Sequence, residues 1–162
     1  MLDVDNVTAF LLDSGLIDPE SILDGDYVVA SAARRNRNLR VQGHGAGYLL
    51  KQPGDPTEGG HATLRAEAAF YGYCQAEPRA APMRDILPRL AYCDPHGPLL
   101  ALELYADARP LWMSMSADGA TSPPRQAPRA LGRALGTFHR AFRLRDGRST
   151  RGSPGCCGSF RG

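Results

Sequence analysis

Tyr27-Val28-Val29-Ala30, Leu39-Arg40-Val41-Gln42 and Tyr48-Leu49-Leu50-Lys51-Gln52 follow one another within 26 residues. Each run is short and rich in aromatic, β-branched or aliphatic residues, which reads as a strand rather than a helix. Gly43-His44-Gly45-Ala46-Gly47 supplies turn chemistry between the last two. The spacing therefore predicts three sequential strands in an antiparallel meander.

Working outward, Asp5-Asn6 offers an N-cap, and Val7, Phe10, Leu11 and Ser14 recur at helical spacing up to Gly15. A short amphipathic helix over 6–14 with a glycine stop follows, then a connector over 15–25. Downstream, Pro53 to Gly60 reads as a loop, and Thr63 to Ala76, rich in Ala, Leu and Glu, as a helix. After a proline-rich connector, Arg89 to Cys93 and Leu99 to Leu104 read as two more strands joined by the turn Asp94-Pro95-His96-Gly97-Pro98. Residues 106–128 read as loop with one helical turn at Leu111 to Met115. Arg129 to Arg143 reads as a helix with Leu131, Leu135, Phe138 and Phe142 on one face. Arg145 to Gly162 turns to Gly, Ser, Arg and Cys and is expected to be disordered. The fold class is α+β: a five-stranded antiparallel sheet with one packed helix, followed by an isolated helix.

The chain has 162 residues, 43% of them apolar, and a net charge of +2, which suits one globular unit with a sizeable core. Its best apolar run, Pro98 to Ala106, is interrupted by Glu103 and is far short of the roughly 20 residues a membrane helix needs. The acidic start Met1-Leu2-Asp3-Val4-Asp5 is unlike a secretory signal, so a cytoplasmic protein without membrane partners is expected. Cys74 and Cys93 stand alone and Cys156-Cys157 are vicinal, a pattern unlike a disulfide framework or a zinc site. Charge is uneven: residues 1–30 carry seven acids and no base, residues 31–51 five bases and no acid, and residues 121–162 nine bases and one acid. Aromatic residues are not interleaved with either basic cluster, so nucleic acid is not an expected partner. Of the 19 basic residues 18 are Arg, and the single Lys is Lys51. Where Arg otherwise replaces Lys, either the surviving ammonium marks a position that needs a compact cation or its survival is chance.

The order strand, strand, strand, helix, strand, strand is that of the small lobe of the protein-kinase fold. Tyr48-Leu49-Leu50-Lys51-Gln52-Pro53 resembles the third strand of the aminoglycoside phosphotransferase and choline kinase superfamily, whose Lys contacts nucleotide phosphates. Arg65-Ala66-Glu67-Ala68-Ala69-Phe70-Tyr71 is similar to the following helix, whose Glu pairs with that Lys. Leu99-Leu100-Ala101-Leu102-Glu103-Leu104-Tyr105 looks like the fifth strand and the linker where backbone groups meet adenine. Ala130 to His139 looks like the first long helix of the large lobe. The resemblance implies a nucleotide-binding lobe over 1–103, a linker over 104–110, the start of a helical lobe over 111–144 and a basic tail over 145–162.

It also implies ATP with magnesium as cofactors and a small-molecule hydroxyl as acceptor. The implied nucleotide-binding residues are Lys51, Glu67, Glu103 and Tyr105, with Asn36 and Asn38 from the Ser31 to Asn38 segment. That segment has no glycine, so either Arg and Asn side chains replace the backbone amides of a glycine-rich loop as phosphate donors, or the segment is an exposed hairpin tip with solubilising charge. No catalytic or metal residue is assigned. The superfamily's His-Gly-Asp…Asn loop has no counterpart: Asn occurs only at 6, 36 and 38, and the only acid after His139 is Asp146. The chain is expected to be catalytically incomplete by itself and to bind nucleotide weakly. The composition of the tail suggests a frameshifted or shortened reading frame; the alternative is a non-catalytic module that binds nucleotide or a protein partner.

Overall fold

The computed structural model describes residues 1–23, 25–32, 36–43, 47–54, 57–95, 97–105, 108 and 126–143. Five strands, β1 (Val28–Ser31), β2 (Arg37–Gln42), β3 (Gly47–Gln52), β4 (Leu90–Cys93) and β5 (Leu100–Glu103), form one sheet in the order β1-β2-β3-β5-β4. Every neighbouring pair is antiparallel. The meander and the β4–β5 hairpin thus stand as the sequence predicts, and β5 joins the hairpin to the meander by pairing with β3.

Strand alternation gives the sheet two different faces. Leu39 and Val41 of β2, Tyr48 and Leu50 of β3 and Ala101 of β5 are buried on one side, where they cluster with Val7 and Leu11 of helix α1 (Val7–Asp13). The helix stops as its glycine predicts. Gly15 takes φ 66°, its N–H bonds to the Leu12 carbonyl, and the Leu16 N–H reaches back to Leu11 at 2.9 Å. These are the two bonds of a Schellman cap, which needs a left-handed residue at the turn. Asn6 precedes the helix without capping it by its side chain, which instead accepts from the Asp3 N–H at 2.9 Å. Gln52, the buried polar residue of this face, pins the N-terminus by pairing with both the N–H and the carbonyl of Leu2 at 2.7 and 2.9 Å.

On the other side, Leu64 and Ala68 of helix α3 (Glu58–Ala76) pack on Leu90, Leu100 and Leu102. The sheet therefore carries a helix on each face rather than the one expected. The connector over 15–25 contains a one-turn helix, α2 (Glu20–Leu23), and Pro78–Met83 forms a 3-10 turn. Helix α3 begins at Glu58, several residues before Thr63, and includes Gly59 and Gly60. Glycine opposes such an extension by about 1 kcal/mol per residue, and the propagation of a long docked helix overrides it. Gly72 lies in the same helix with open space where a Cβ would stand. Gly72→Ala is therefore expected to stabilise the protein by about 0.5–1 kcal/mol, measured as a higher denaturant midpoint; an unchanged or lower midpoint would show that the site is not open.

A third cluster joins Cys74, Ala80 and Met83 to Ala141 of helix α4 (Gln126–Phe142), with Phe70, Tyr73, Leu87 and Phe142 around it. Helix α4 starts three residues earlier than the sequence reading because Pro128 falls in the first turn, where its missing N–H costs no intrahelical bond. Its C-terminal end folds back on α3, with Phe142 stacked on Phe70 at 5.6 Å and tilted against Tyr73 at 5.7 Å. Leu131 and Leu135 of the predicted stripe stay half exposed, and Phe138, 41% exposed, reaches Phe70 at 6.3 Å. The helical turn expected at Leu111 to Met115 and the tail from Arg145 lie outside the described residues. No helix among the described residues is long and apolar enough to cross a membrane.

Candidate functional site

Lys51 is the fifth residue of β3 and alternates with Leu50, so its side chain stands on the α3 side of the sheet. Glu67 lies on α3, one residue before Ala68, which packs on that side of the sheet. The ammonium of Lys51 donates to Glu67 Oε1, forming an ion pair between strand and helix across 16 residues of sequence. Its members are 19% and 26% exposed, so solvent reaches the pair only in part. A carboxylate takes one of the three ammonium donors and leaves the others for an outside anion. Tyr71, one turn after Glu67, has its phenol pushed above its ordinary value, first by burial and then by the Glu67 charge.

The register shows what surrounds this cation. Asn38 is directly opposite Lys51 on β2, and Leu100 is opposite it on β5. Leu100 is buried under α3. The β1–β2 half of the same face presents Val28, Ala30, Asn38, Arg40 and Gln42; Val28 and Ala30 are exposed and the other three half-buried. Arg40 Nη2 donates to Gln42 Oε1 at 3.1 Å. Helix α3 thus covers the β4–β5 half of its face. Lys51 stands at the boundary between that apolar half and the polar β1–β2 half.

The structure brings Lys51, Glu67 and Asn38 together. Asn36 is half-buried at the entrance to β2, while Ala33, Arg34 and Arg35 of the same segment lie outside the described residues. Glu103 pairs with Tyr48, so its side chain stands on the α1 face, away from Lys51, and its carboxylate lies 3.9 Å from Arg89 Nε. The N–H groups of Glu103 and Leu104 donate to Arg89 and Gly47 at 2.8 Å, and the Tyr105 carbonyl accepts from Ala108 at 3.0 Å. These linker groups are already engaged, and the Tyr105 hydroxyl donates to the Leu87 carbonyl at 3.4 Å. Arg40 and Gln42 were not singled out from the sequence; the period-2 row they share with Asn38 was the available signal.

Among the described residues no group of three His, Cys, Asp or Glu side chains is placed to hold a metal ion. The donor set around Lys51 is one carboxylate, itself bound by the ammonium, and one amide, which does not fit a magnesium site. Cys74 is buried and its thiol is pushed up by that burial, which makes it a packing residue rather than a nucleophile. No protein-family model, curated protein or solved structure matches the chain.

The other perturbed tyrosine sets an alkaline limit. Tyr48 is raised above its ordinary value of 10.0, chiefly by burial, and its hydroxyl donates to the Leu16 carbonyl at 2.8 Å. Both Tyr48 and Tyr71 therefore hold their protons more tightly folded than unfolded. Their contribution to stability is complete below pH about 10 and declines as pH rises from there through their raised values. Denaturant unfolding between pH 9 and 12, read beside tyrosinate absorbance, is expected to show this decline; a flat profile would contradict it.

Proposed function

We propose that this chain is a nucleotide-binding small lobe of the aminoglycoside phosphotransferase and choline kinase type, with Lys51 as its phosphate cation. The observation that carries the reading is the Lys51–Glu67 ion pair, which joins the third strand to the following helix. Strand order and helix placement agree with it: β3 is central, and α3 covers only half of its face. An ammonium anchored at that boundary stands beside the polar half-sheet that carries Asn38, Arg40 and Gln42.

Lys51 would hold a phosphate oxygen, Glu67 would keep the ammonium on this side of the sheet, and Asn36 and Asn38 would donate from the β2 edge. Bound ATP would bring the transferable phosphoryl group. The residues around Lys51 do not fit magnesium, so the reading extends to nucleotide binding and not to phosphoryl transfer. With one anchored cation, affinity for ATP is expected in the millimolar range, about −4 kcal/mol.

Titration with ATP, followed by the amide signals of β2 and β3 in NMR spectra, tests the reading. Lys51→Met keeps the length of the stem and removes the charge, and it is expected to weaken binding at least about tenfold, the size of one charge-assisted hydrogen bond. Binding unchanged by Lys51→Met would place the nucleotide elsewhere. One observation favours a second reading, a non-catalytic module that binds a protein partner: Leu131, Leu135 and Phe138 stay exposed along α4. A folded chain that shows no ATP response in the wild type would leave that second reading in place of the first.

A further inference from the structure

Asn38 Oδ1 is shut off from solvent and has no hydrogen-bond partner. A buried acceptor left unmade destabilises the fold, so the group invites an explanation. Its cross-strand neighbour supplies one. Asn38 and Lys51 are directly opposite each other on β2 and β3 and share a face, an arrangement that sets Cβ atoms about 5 Å apart. A lysine stem of four methylenes swings over that distance without any backbone change. Lys51 meanwhile gives a donor to Glu67, on the helix side of the same cation. An ammonium with three donors thus spends one on a carboxylate, while its cross-strand neighbour carries a shielded acceptor without a partner.

We propose that Asn38 is a positioning residue for Lys51: its side-chain oxygen is the second seat of the ammonium, taken when Glu67 lets go or turns away. Two seats on one face keep the cation at the boundary of the polar half-sheet in either state. With Glu67 alone, loss of that contact would free the stem to leave for solvent. The inference concerns the free chain, so it stands or falls apart from the nucleotide reading.

The test is the sign of one substitution in two backgrounds. Asn38→Leu replaces the amide by an apolar group of similar size. In the wild type, where the acceptor is unpaired, it is expected to leave the folding equilibrium constant unchanged or raise it. In Glu67→Ala, where Asn38 would hold the ammonium, it is expected to lower that constant about tenfold, the size of one hydrogen bond to a charged group. The same effect in both backgrounds would overturn the proposal. A second measurement needs only the single variant. Because Lys51 is the only lysine, ¹⁵N-lysine labelling yields one ammonium signal. In Glu67→Ala that signal is expected to stay protected from solvent exchange; exchange as fast as in free lysine would show that the second seat does not exist.

Discussion

Leu50→Ala is expected to lower stability by about 3–5 kcal/mol, the upper part of the range for emptying a buried leucine. Leu50 is fully buried in the middle strand, between Leu39 on β2 and Ala101 on β5, in the cluster that includes Val7 and Leu11 of α1. Two features keep the hole open. Strands on both sides are fixed by ladder hydrogen bonds, and Ala101 has no side chain long enough to lean in. Since small domains have only about 5–15 kcal/mol in total, this one change consumes a large share of it. Leu49, the next residue, is half-buried on the other face, and Leu49→Ala is the matched control with a smaller loss. Urea unfolding of the two variants is the measurement, with a lower midpoint and an unchanged slope expected for Leu50→Ala. Equal losses would mean that the α1 face is not the main core.

Phe142→Ala is expected to have the second-largest effect and to act locally. Phe142 holds the end of α4 on α3 through two ring contacts, with Phe70 at 5.6 Å and Tyr73 at 5.7 Å, and packs on Phe138 of its own helix at 4.8 Å. It is half-buried, so the loss falls somewhat below the usual 3–5 kcal/mol for a fully buried phenylalanine, at about 2–3 kcal/mol. Among the described residues of α4 only Ala141 is buried, and Leu131 and Leu135 give little support. The helix is therefore a unit of low local stability held at one end. Amide hydrogen exchange is expected to quicken throughout α4 in Phe142→Ala while β2 and β3 keep their protection. Parallel loss of protection in both regions would show that α4 and the sheet unfold as one unit.

The elements themselves were legible in the chain because local rules govern them. Short runs of aromatic, β-branched and aliphatic residues between turn residues marked all five strands, and Gly15 marked the end of α1 because only a left-handed cap closes the helix there. Boundaries were less legible where tertiary packing outweighs propensity: α3 runs through Gly59 and Gly60, and α4 admits Pro128. For the candidate site, the sequence singled out Lys51 through its being the sole lysine, and Glu67 through its place on the next helix, and the two side chains do meet.

Other features were decided only by tertiary structure. Period 2 states that a strand has two faces but not which helix lies on which, so α1 as the cover of the Leu50 face was not visible. Nor does the sequence state register, and a shift of one residue exchanges every side chain between faces. Register is what sets Asn38 against Lys51 and turns Glu103 to the opposite side of the sheet. Pairing of strands far apart in sequence depends on hydrophobic burial and ladder bonds across the whole sheet, which no local window contains. Lys51 could be named from the sequence, but its neighbours follow from that long-range pairing.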